Sequence, residues 1–336
     1  GAIDLYYSQG DDILRDLIIS GNNNGNTVQI RPQNTLMENV VIADNYTSPE
    51  NVNINTARAL SIIGGTNIEG GDTTKIINCT IVNNENLVGA GIQVQGGTIN
   101  TVFLNTVVWG NANNIVIHSD GSPWIHFDNC MIFDSPSIYH PNNNGTIDWG
   151  TGNIDQYPYF NDPENGDYSL SNYSPLIGAG SVYTSLENNA WIQAPGSDIL
   201  GNDRPSPAGT NPDIGAYENN NGDITYNPNK YVSVNGDNSA QGILIDPWRD
   251  IQYAIDQAQD GDIIHLAEGT YFESITNLPS NLTILGEGFN TVIDAQGLGA
   301  SVIRAETGTV IKHLTVENGS ASQGGGILIN NEQNVV

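Results

Sequence analysis

The chain has 336 residues, with 37 Asp or Glu but 9 Lys or Arg, and its net charge is -28. Such an acidic chain repels nucleic acid, anionic membranes and polyanionic glycans, unless cations intervene. Because 38% of the residues are hydrophobic, the chain can form a core, whereas no apolar run approaches the ~18 residues of a membrane span. We therefore expect a folded protein that binds no nucleic acid and does not insert into a membrane.

Similar segments recur from residue 14 onward, each preceded by another predicted strand. In each segment the first, fourth and sixth residues are apolar or small, and the third is polar. Apolar residues at i and i+2 indicate a short strand with one buried face. The first apolar position breaks this alternation, so we predict a bend at the polar third residue. The segments are 14–22, 37–45, 76–84, 103–111, 127–135 and 311–319.

The polar bend residue recurs at positions 16, 39, 78, 105 and 129. Repeats of this length without a helical period favour a parallel β-solenoid. Successive parallel strands lie ~4.8 Å apart, so identical side chains stack and Asn amides can hydrogen-bond along the stack. We predict such a structural ladder at Asn39, Asn78, Asn105 and Asn129. Cys79 and Cys130 lie two repeats apart, ~10 Å, which is too far for a disulfide, so we expect small core residues.

Candidate catalytic residues are few. His118 and Asp120 lie close together at a predicted strand end, with His126 nearby, although a histidine in a loop is more often structural than catalytic. The adjacent pair Asp11 and Asp12 is predicted to be a solvated turn.

One acidic turn offers oxygen ligands at short spacing. It contains Asp162, Glu164 and Asp167, within NDPENGD. Calcium prefers such ligands, although the spacing is not that of an EF-hand loop. Calcium at these three residues is the cofactor that the sequence offers, and ordinary turn formation is the alternative.

Two longer motifs lie in the second half of the chain. The first is YPYFNDPENGDYSLSNYSPLIGAG (157–180), followed by DILGNDRPSPAGTNPDIGAYE (198–218). The second is YVSVNGDNSAQGILIDPWRDIQYAIDQAQDGDIIHLAEGTYFESI (231–275), followed by LTILGEGFNTVIDAQG (282–297). With the repeats, they resemble bacterial secreted right-handed parallel β-helix repeat proteins of the pectate-lyase-like fold. The resemblance implies an all-β chain, namely a right-handed parallel β-helix (solenoid).

The motif at 231–275 also predicts a short capping helix near 247–259. Asp246 can serve as N-cap and Pro247 as the first helical residue, and Gly261 can end the helix. The apolar face consists of Trp248, Ile251, Ile255 and Ala258, which would cover the open apolar end of a solenoid.

The resemblance implies an inverted order of the two motifs. The motif at 157–218 resembles a last coil with a C-terminal closure, and the motif at 231–297 resembles an N-terminal cap with first coils. We therefore predict that residues 1–218 are the C-terminal half of one β-helix, 219–230 a linker, and 231–336 the beginning of a second β-helix.

Two functions from different classes follow. The inverted motifs, the acidic surface and the absence of an Arg-x-Lys sequence favour a structural protein over an enzyme. It would be one unit of an extracellular or cell-surface filament, stalk or adhesin, assembling end to end with copies of itself. The alternative is a carbohydrate-active enzyme or glycan-binding module that holds a polysaccharide on aromatic residues such as Tyr6, Tyr7 or Trp109.

Overall fold

The structure is a computed structural model. It describes residues 2–5, 11–23, 25–31, 34–46, 58–64, 73–84, 91–97, 100–111, 115–121, 123–132, 138–139, 145–185, 191–297 and 299–330. The described residues form an all-β protein in which most strands pair in parallel, which confirms the predicted fold class at that level. Contacts divide the chain into unit 1, Gly1–Thr225, and unit 2, Tyr226–Val336. The division falls inside the predicted linker 219–230, while the assignment of two β-helix halves stays a prediction.

Unit 1 contains two large parallel sheets and two short antiparallel pairs. Sheet A has the order β1-β3-β5-β8-β11-β14, and sheet B has the order β13-β10-β7-β4-β6-β9-β12-β15 with β2 on β4. The antiparallel pairs are β16 with β17 and β18 with β19. The strands are β1 (Ile3–Leu5), β2 (Asp12–Ser20), β3 (Val28–Ile30), β4 (Thr35–Ala43), β5 (Leu60–Ile63), β6 (Thr73–Ile77), β7 (Thr80–Val82), β8 (Ile92–Gly97), β9 (Asn100–Leu104), β10 (Val107–Trp109), β11 (Ile115–Gly121), β12 (Trp124–Asp128), β13 (Met131–Ile132), β14 (Ile138–Tyr139), β15 (Thr146–Trp149), β16 (Phe160–Asp162), β17 (Asp167–Leu170), β18 (Tyr183–Ser185) and β19 (Trp191–Gln193).

The repeats of the sequence pair in register in sheet B. One inner column therefore consists of equivalent apolar residues, namely Met37, Ile76, Phe103, Phe127 and Trp149. The first four of these are fully buried, as alternation of side chains across a strand requires. Cys79 and Cys130 are free and fully buried, as predicted for small core residues.

The predicted bend is a single residue in the left-handed backbone region. Its φ angle lies between 47° and 54° at Asp16, Asn39, Asn78, Asn105 and Asn129. Asn and Asp tolerate this region better than other residues with a side chain, which explains why they recur. We call these five residues the bend column.

The described residues of 157–218, namely 157–185 and 191–218, lie against the outer face of sheet B, and we call them the covering segment. Phe160, Tyr168 and Leu176 of this segment pack on Val82 and Val107 of the sheet. Further along, Ile192 packs on Ile77, Val102 and Leu104. This segment therefore covers apolar residues on the outer face of sheet B. Its role as a last coil with a C-terminal closure stays a prediction.

The bend column hydrogen-bonds mainly to the covering segment. Within the column, Asn39 donates to Asp16 at 2.9 Å and Asn105 to Asn78 at 3.2 Å. The side-chain amides of the four asparagines also donate to backbone carbonyls of the covering segment. These carbonyls belong to Ser197 for Asn39, Asp213 and Gly215 for Asn78, Ser181 for Asn105, and Ala179 for Asn129.

A continuous asparagine ladder lies six residues further along each repeat, inside the unit. The side-chain amide of Asn22 donates to Asn45, that of Asn45 to Asn84, and that of Asn84 to Asn111, each at 2.9 Å. Each backbone N–H of the first three also donates to the next side-chain oxygen, at 2.9 to 3.2 Å. We call Asn22, Asn45, Asn84 and Asn111 the inner ladder; sequence reasoning missed it.

Unit 2 contains three parallel sheets and one helix. The sheets have the orders β20-β21-β24-β27, β22-β25-β28 and β23-β26-β29. The elements are β20 (Asn229–Val232), α1 (Ile251–Gln257), β21 (Ile263–Leu266), β22 (Gly269–Tyr271), β23 (Ile275–Leu278), β24 (Thr283–Gly286), β25 (Thr291–Asp294), β26 (Ile303–Glu306), β27 (Val310–Lys312), β28 (Thr315–Glu317) and β29 (Ile327–Asn330).

The helix α1 is shorter than the predicted 247–259. Its N-cap position is Asp250 instead of Asp246, and the carboxylate of Glu273 accepts hydrogen bonds from the amides of Ile251 and Gln252 at 2.8 and 3.0 Å. Trp248 precedes the helix, and Ala258 is its extended C-cap. All four residues of the predicted face nevertheless belong to or pack against the core of unit 2: Trp248, Ile251, Ile255 and Ala258.

Candidate functional site

The described structure does not test the candidate pair of His118 and Asp120. The side chains of His118 and Asp120 lie outside the described residues, although both positions belong to β11. His126 instead pairs with Asp148, since its Nδ1 lies 2.9 Å from Asp148 Oδ2. Asp12 is the first residue of β2, so Asp11 and Asp12 do not form a simple turn.

The aromatic residues of the sugar-binding alternative are also placed differently. Tyr6 and Tyr7 lie outside the described residues. Trp109 is half-buried and contacts Tyr157 and Phe160 edge to face, with ring centroids 5.6 and 5.8 Å apart. Trp109 therefore packs the covering segment onto sheet B.

The three predicted calcium ligands hold local turns. Both carboxylate oxygens of Asp162 accept from the side chain of Asn165, and Asp167 accepts from the backbone and hydroxyl of Ser169. Glu164 lies between them in an exposed 3-10 turn, Pro163–Asn165. No set of three or more His, Cys, Asp or Glu side chains in the described ranges is grouped to hold a metal ion. Calcium binding at these three residues stays a prediction.

Acidic and basic residues of the covering segment form a buried polar network. Arg204 forms an ion pair with Glu218 at 2.9 Å, and it donates to Asn39 of the bend column at 2.7 Å. Asp213 accepts from the amides of Gly178 and Asn219 at 2.7 and 2.6 Å. Burial, followed by the nearby charge of Glu218, raises the pKa of Asp213 to about 7. This network fastens the covering segment and is not exposed to a ligand.

The outer face of β9, β12 and β15 presents a different arrangement. The outward residues of the central column are Val102, His126 and Asp148, in successive strands. The indole of Trp124 stacks on the imidazole of His126, with centroids 5.5 Å apart and planes 12° apart. His126 is buried, and its Nε2 has no hydrogen-bond partner among the described residues. Trp124 and Asp148 therefore fix the orientation of the imidazole.

The space beside this pair depends on one glycine. A Cβ built at Gly150 would lie 2.7 Å from Asp128 Oδ1 and 3.0 Å from His126 Cε1. Asp128 is held by Thr151, whose backbone N–H and hydroxyl donate to its carboxylate at 2.7 and 3.1 Å. Gly150 thus allows the chain to pass close to both side chains without displacing either.

The hairpin of β18 and β19 lies next to this face. Side chains alternate across its strands, so Thr184 and Ile192 are buried while Tyr183 and Trp191 point to solvent. Tyr183 is 55% exposed and Trp191 is 66% exposed. Their rings contact edge to face, with centroids 5.0 Å apart.

The hairpin lies beside the outer-face residues Trp124, His126 and Asp148. Trp124 packs against the same cluster that holds Ile192 on Val102 and Leu104. We call the side chains of Tyr183, Trp191, Trp124, His126 and Asp148 the aromatic surface. Its exposed groups are the rings of Tyr183 and Trp191 and the carboxylate of Asp148, and a ring with an apolar face and hydroxyl groups would find both kinds of contact there.

A sequence signal for the hairpin existed. The runs VYTS and WIQ are separated by the five residues LENNA, which include Asn-Asn, and this is typical of two strands joined by a turn. Asp148 could not be found in this way, because its pairing with His126 depends on the register between β12 and β15.

No helix within the described part of the chain is long and apolar enough to cross a membrane.

Comparisons with known proteins identify no family. No family model matches the sequence, and no curated protein matches it. Among solved structures, a PL6 family alginate lyase, AlyGC, is 13% identical with a TM-score of 0.22, and 95% of this chain aligns with 51% of that chain. An arginine-to-alanine mutant of the same lyase gives the same identity and TM-score, with 94% of this chain on 64% of that one. The chain thus spans less than two thirds of either structure, and likenesses this remote do not bear on its activity.

Proposed function

We propose that this protein is a glycan-binding module that holds a neutral carbohydrate chain on the aromatic surface. The observation that supports this most is the exposed pair of Tyr183 and Trp191. Their rings contact each other, and contiguous exposed apolar patches rimmed by polar residues mark binding sites. A sugar ring presents an apolar C–H face that packs on such rings, while its hydroxyls donate to acceptors such as Asp148.

Charge selects the class of glycan. The net charge of -28 makes the approach of a polyanion to the protein surface electrostatically unfavourable. The aromatic surface itself contains the carboxylate of Asp148 and no Lys or Arg. We therefore assign neutral chains, such as glucans, mannans or xylans, and not polyuronates, as the ligand.

We also propose that the parallel sheets of each unit are the faces of a right-handed parallel β-helix at the cell surface or outside the cell. In-register pairing of successive repeats supports the helix, because each chain segment returns to the same sheet one repeat later. Such parallel crossovers are right-handed in nearly all proteins. Handedness and location are testable by an experimental structure and by fractionation of the source cells.

Affinity electrophoresis with a panel of polysaccharides tests the glycan proposal. The panel contains glucomannan, arabinoxylan and mixed-linkage glucan, with alginate and polygalacturonate as anionic arms, each with and without calcium. We expect retardation by at least one neutral polymer and a loss of affinity of about tenfold in Trp191→Ala, because an aromatic contact of this kind can be worth about 1.4 kcal/mol.

Leu200→Ala provides the matched control, since Leu200 is a large apolar residue of the covering segment that is 68% exposed but lies outside the aromatic surface. It should leave retardation unchanged. Failure of every neutral polymer to bind, or equal binding by the wild type and Trp191→Ala, would refute the proposal. Binding to the anionic arms alone would refute the charge argument.

A second candidate is an end-to-end structural unit. Among the described residues, β2 of unit 1 pairs only with β4, and its residues Ile13 and Ile18 are exposed. Within the same described ranges, β29 of unit 2 pairs only with β26 and exposes Ile329. Unpaired parallel edges invite pairing with another chain. Sedimentation over a wide concentration range should then show self-association that Ile329→Lys abolishes; a monomer at all concentrations excludes this candidate.

A further inference from the structure

A cavity of about 590 Å³ lies at the last described repeat of unit 1. Its lining consists of Ile132, Trp149, Gly150, Gly152, Asn153, Ile154 and Asp155. This volume lies within the range of small-molecule sites, which are largely apolar with a few polar groups. Apolar contacts come from Trp149 and the two isoleucines, and Asp155 supplies a carboxylate.

Trp149 forms the end of a stack of three rings. Phe103 stacks on Phe127 with centroids 4.7 Å apart, and Phe127 stacks on Trp149 at 5.1 Å. Both phenylalanines are fully buried, whereas Trp149 is 45% exposed. Because β15 is an edge strand of sheet B, no further strand of the described chain covers the indole. The free face of the ring borders the cavity.

The wall of this cavity that faces the protein interior is held rigidly. Asn153 is fixed by two hydrogen bonds, since its Oδ1 accepts from the amide of Cys130 at 2.9 Å and its Nδ2 donates to the carbonyl of Phe127 at 3.0 Å. Gly152 has a φ of 68°, and a Cβ there would lie 2.2 Å from Asn129 Nδ2. A site held this firmly before binding loses little entropy when a ligand enters.

The cavity is continuous in sequence with the aromatic surface. Asp148 and Trp149 are neighbours in β15, and alternation places Asp148 on the outer face while Trp149 faces the interior end. Asp148 is the outward residue of the edge strand and its side chain is partly exposed, so a chain that contacts Asp148 lies one residue from the indole of Trp149.

We propose that this cavity binds the terminal sugar unit of the neutral glycan chain held by the aromatic surface. The proposal rests on the proposed function, because it needs that chain on the outer face. The indole of Trp149 packs on the terminal ring, and the carboxylate of Asp155 accepts hydrogen bonds from its hydroxyls. Among the described lining residues Asp155 is the one carboxylate and none is Lys or Arg, which again favours a neutral unit.

Calorimetry with short and long ligands separates the two proposals. The probes are a neutral hexasaccharide of the polymer that binds best and that polymer itself at high molecular mass, in equal concentrations of sugar units. We expect Trp149→Leu to weaken hexasaccharide binding about tenfold and to change polymer binding little, since a long polymer presents few chain ends. Trp191→Ala should weaken both.

Each outcome decides one proposal. Unchanged hexasaccharide binding in Trp149→Leu, with weakened binding in Trp191→Ala, overturns the terminal site and leaves the glycan module standing. Equal losses for both ligands in Trp149→Leu mean that Trp149 binds internal units, which also overturns a terminal site. If neither ligand binds the wild type, the proposed function itself is refuted.

A measurement on the wild-type chain covers the case in which the variant fails to fold. The protein is labelled with 5-fluorotryptophan, and the Trp149 resonance is assigned with Trp149→Phe, which keeps a ring on Phe127. Addition of the hexasaccharide should shift this resonance, whereas addition of the polymer at equal sugar concentration should shift it much less. An unmoved Trp149 resonance at saturating hexasaccharide contradicts the proposal.

Discussion

Two asparagine columns cross sheet B six residues apart in each repeat, and their partners differ. The bend column points outward, and its amides bond to a segment that lies far along the chain. The inner ladder points inward, and its amides bond to one another. Asparagines of the same repeat therefore connect two different pairs of elements. The inner ladder joins each repeat to the next, while the bend column joins the stack of repeats to the covering segment.

Loss of the covering segment would therefore affect the bend column first, because the amides of this column would lose their hydrogen-bond partners. Arg204 is the residue that links the two, since it bonds to Glu218 within the covering segment and to Asn39 in the column. Asn84 offers the matched position in the inner ladder, because it is buried and fully hydrogen-bonded but touches no residue of the covering segment through its described bonds.

Replacing Arg204 should produce the largest change. Arg204→Met leaves Glu218 buried without its cation, which typically costs about 3–5 kcal/mol of unfolding free energy. Urea denaturation followed by intrinsic fluorescence measures the loss. Arg249→Met is the control, because Arg249 pairs with Asp250 at an exposed site and should leave the midpoint nearly unchanged. A loss below about 1 kcal/mol in Arg204→Met would show that the network does not fasten the segment.

A double-mutant cycle should distinguish the two columns. Asn39→Ala combined with Arg204→Met should give a coupling energy of about 1–2 kcal/mol, because the two side chains share a hydrogen bond. Asn84→Ala combined with Arg204→Met should be additive within about 0.5 kcal/mol. The unfolding free energies of the six proteins, measured in one buffer, provide both cycles. Equal coupling in the two cycles would mean that the columns do not act separately.

The smallest expected effect is a pH dependence from Asp213. The folded pKa of Asp213, about 7, lies above the ordinary value of 3.8, so the folded state binds this proton more tightly than the unfolded state does. Protonation of Asp213 therefore stabilises the fold at lower pH, and this contribution is lost as the pH rises through 7. Between pH 6 and 8 the loss should be about 1 kcal/mol. Asp213→Asn should remove it.

The measurement is the difference between the urea midpoints of the wild type and Asp213→Asn at pH 6, 7 and 8. The other acidic groups titrate in both proteins and cancel in this difference. Midpoints that stay parallel across the three values would assign the pH dependence to other carboxylates.

Local patterns in the sequence determined part of this picture. The spacing of apolar residues placed the polar bend at Asn39, Asn78, Asn105 and Asn129, and each of these residues has the left-handed backbone that a bend requires. The period and the β-branched residues indicated parallel strands, and the sheets are parallel. Both inferences use residues within one repeat, where side-chain alternation decides the outcome.

Contacts between distant residues could not be predicted in the same way. The start of α1 was placed at Asp246, but Glu273, more than twenty residues later, provides the acceptors for its first amides. Asn129 was assigned to a ladder, but the carbonyl of Ala179 accepts its hydrogen bond. Nothing in a single repeat specifies which later segment will lie against it, so these partners follow only from the three-dimensional arrangement.

The lateral position of the covering segment sets an order of events during folding. Its hydrogen bonds reach back 124 residues from Tyr168 to Asp44, 135 residues from Asp213 to Asn78 and 165 residues from Arg204 to Asn39. Loops this long close slowly, and their closure is favourable only once the strands that receive them have already paired. We therefore expect docking of the covering segment to be the late, slow step in the folding of unit 1, with the apolar outer face of sheet B open to other chains until then.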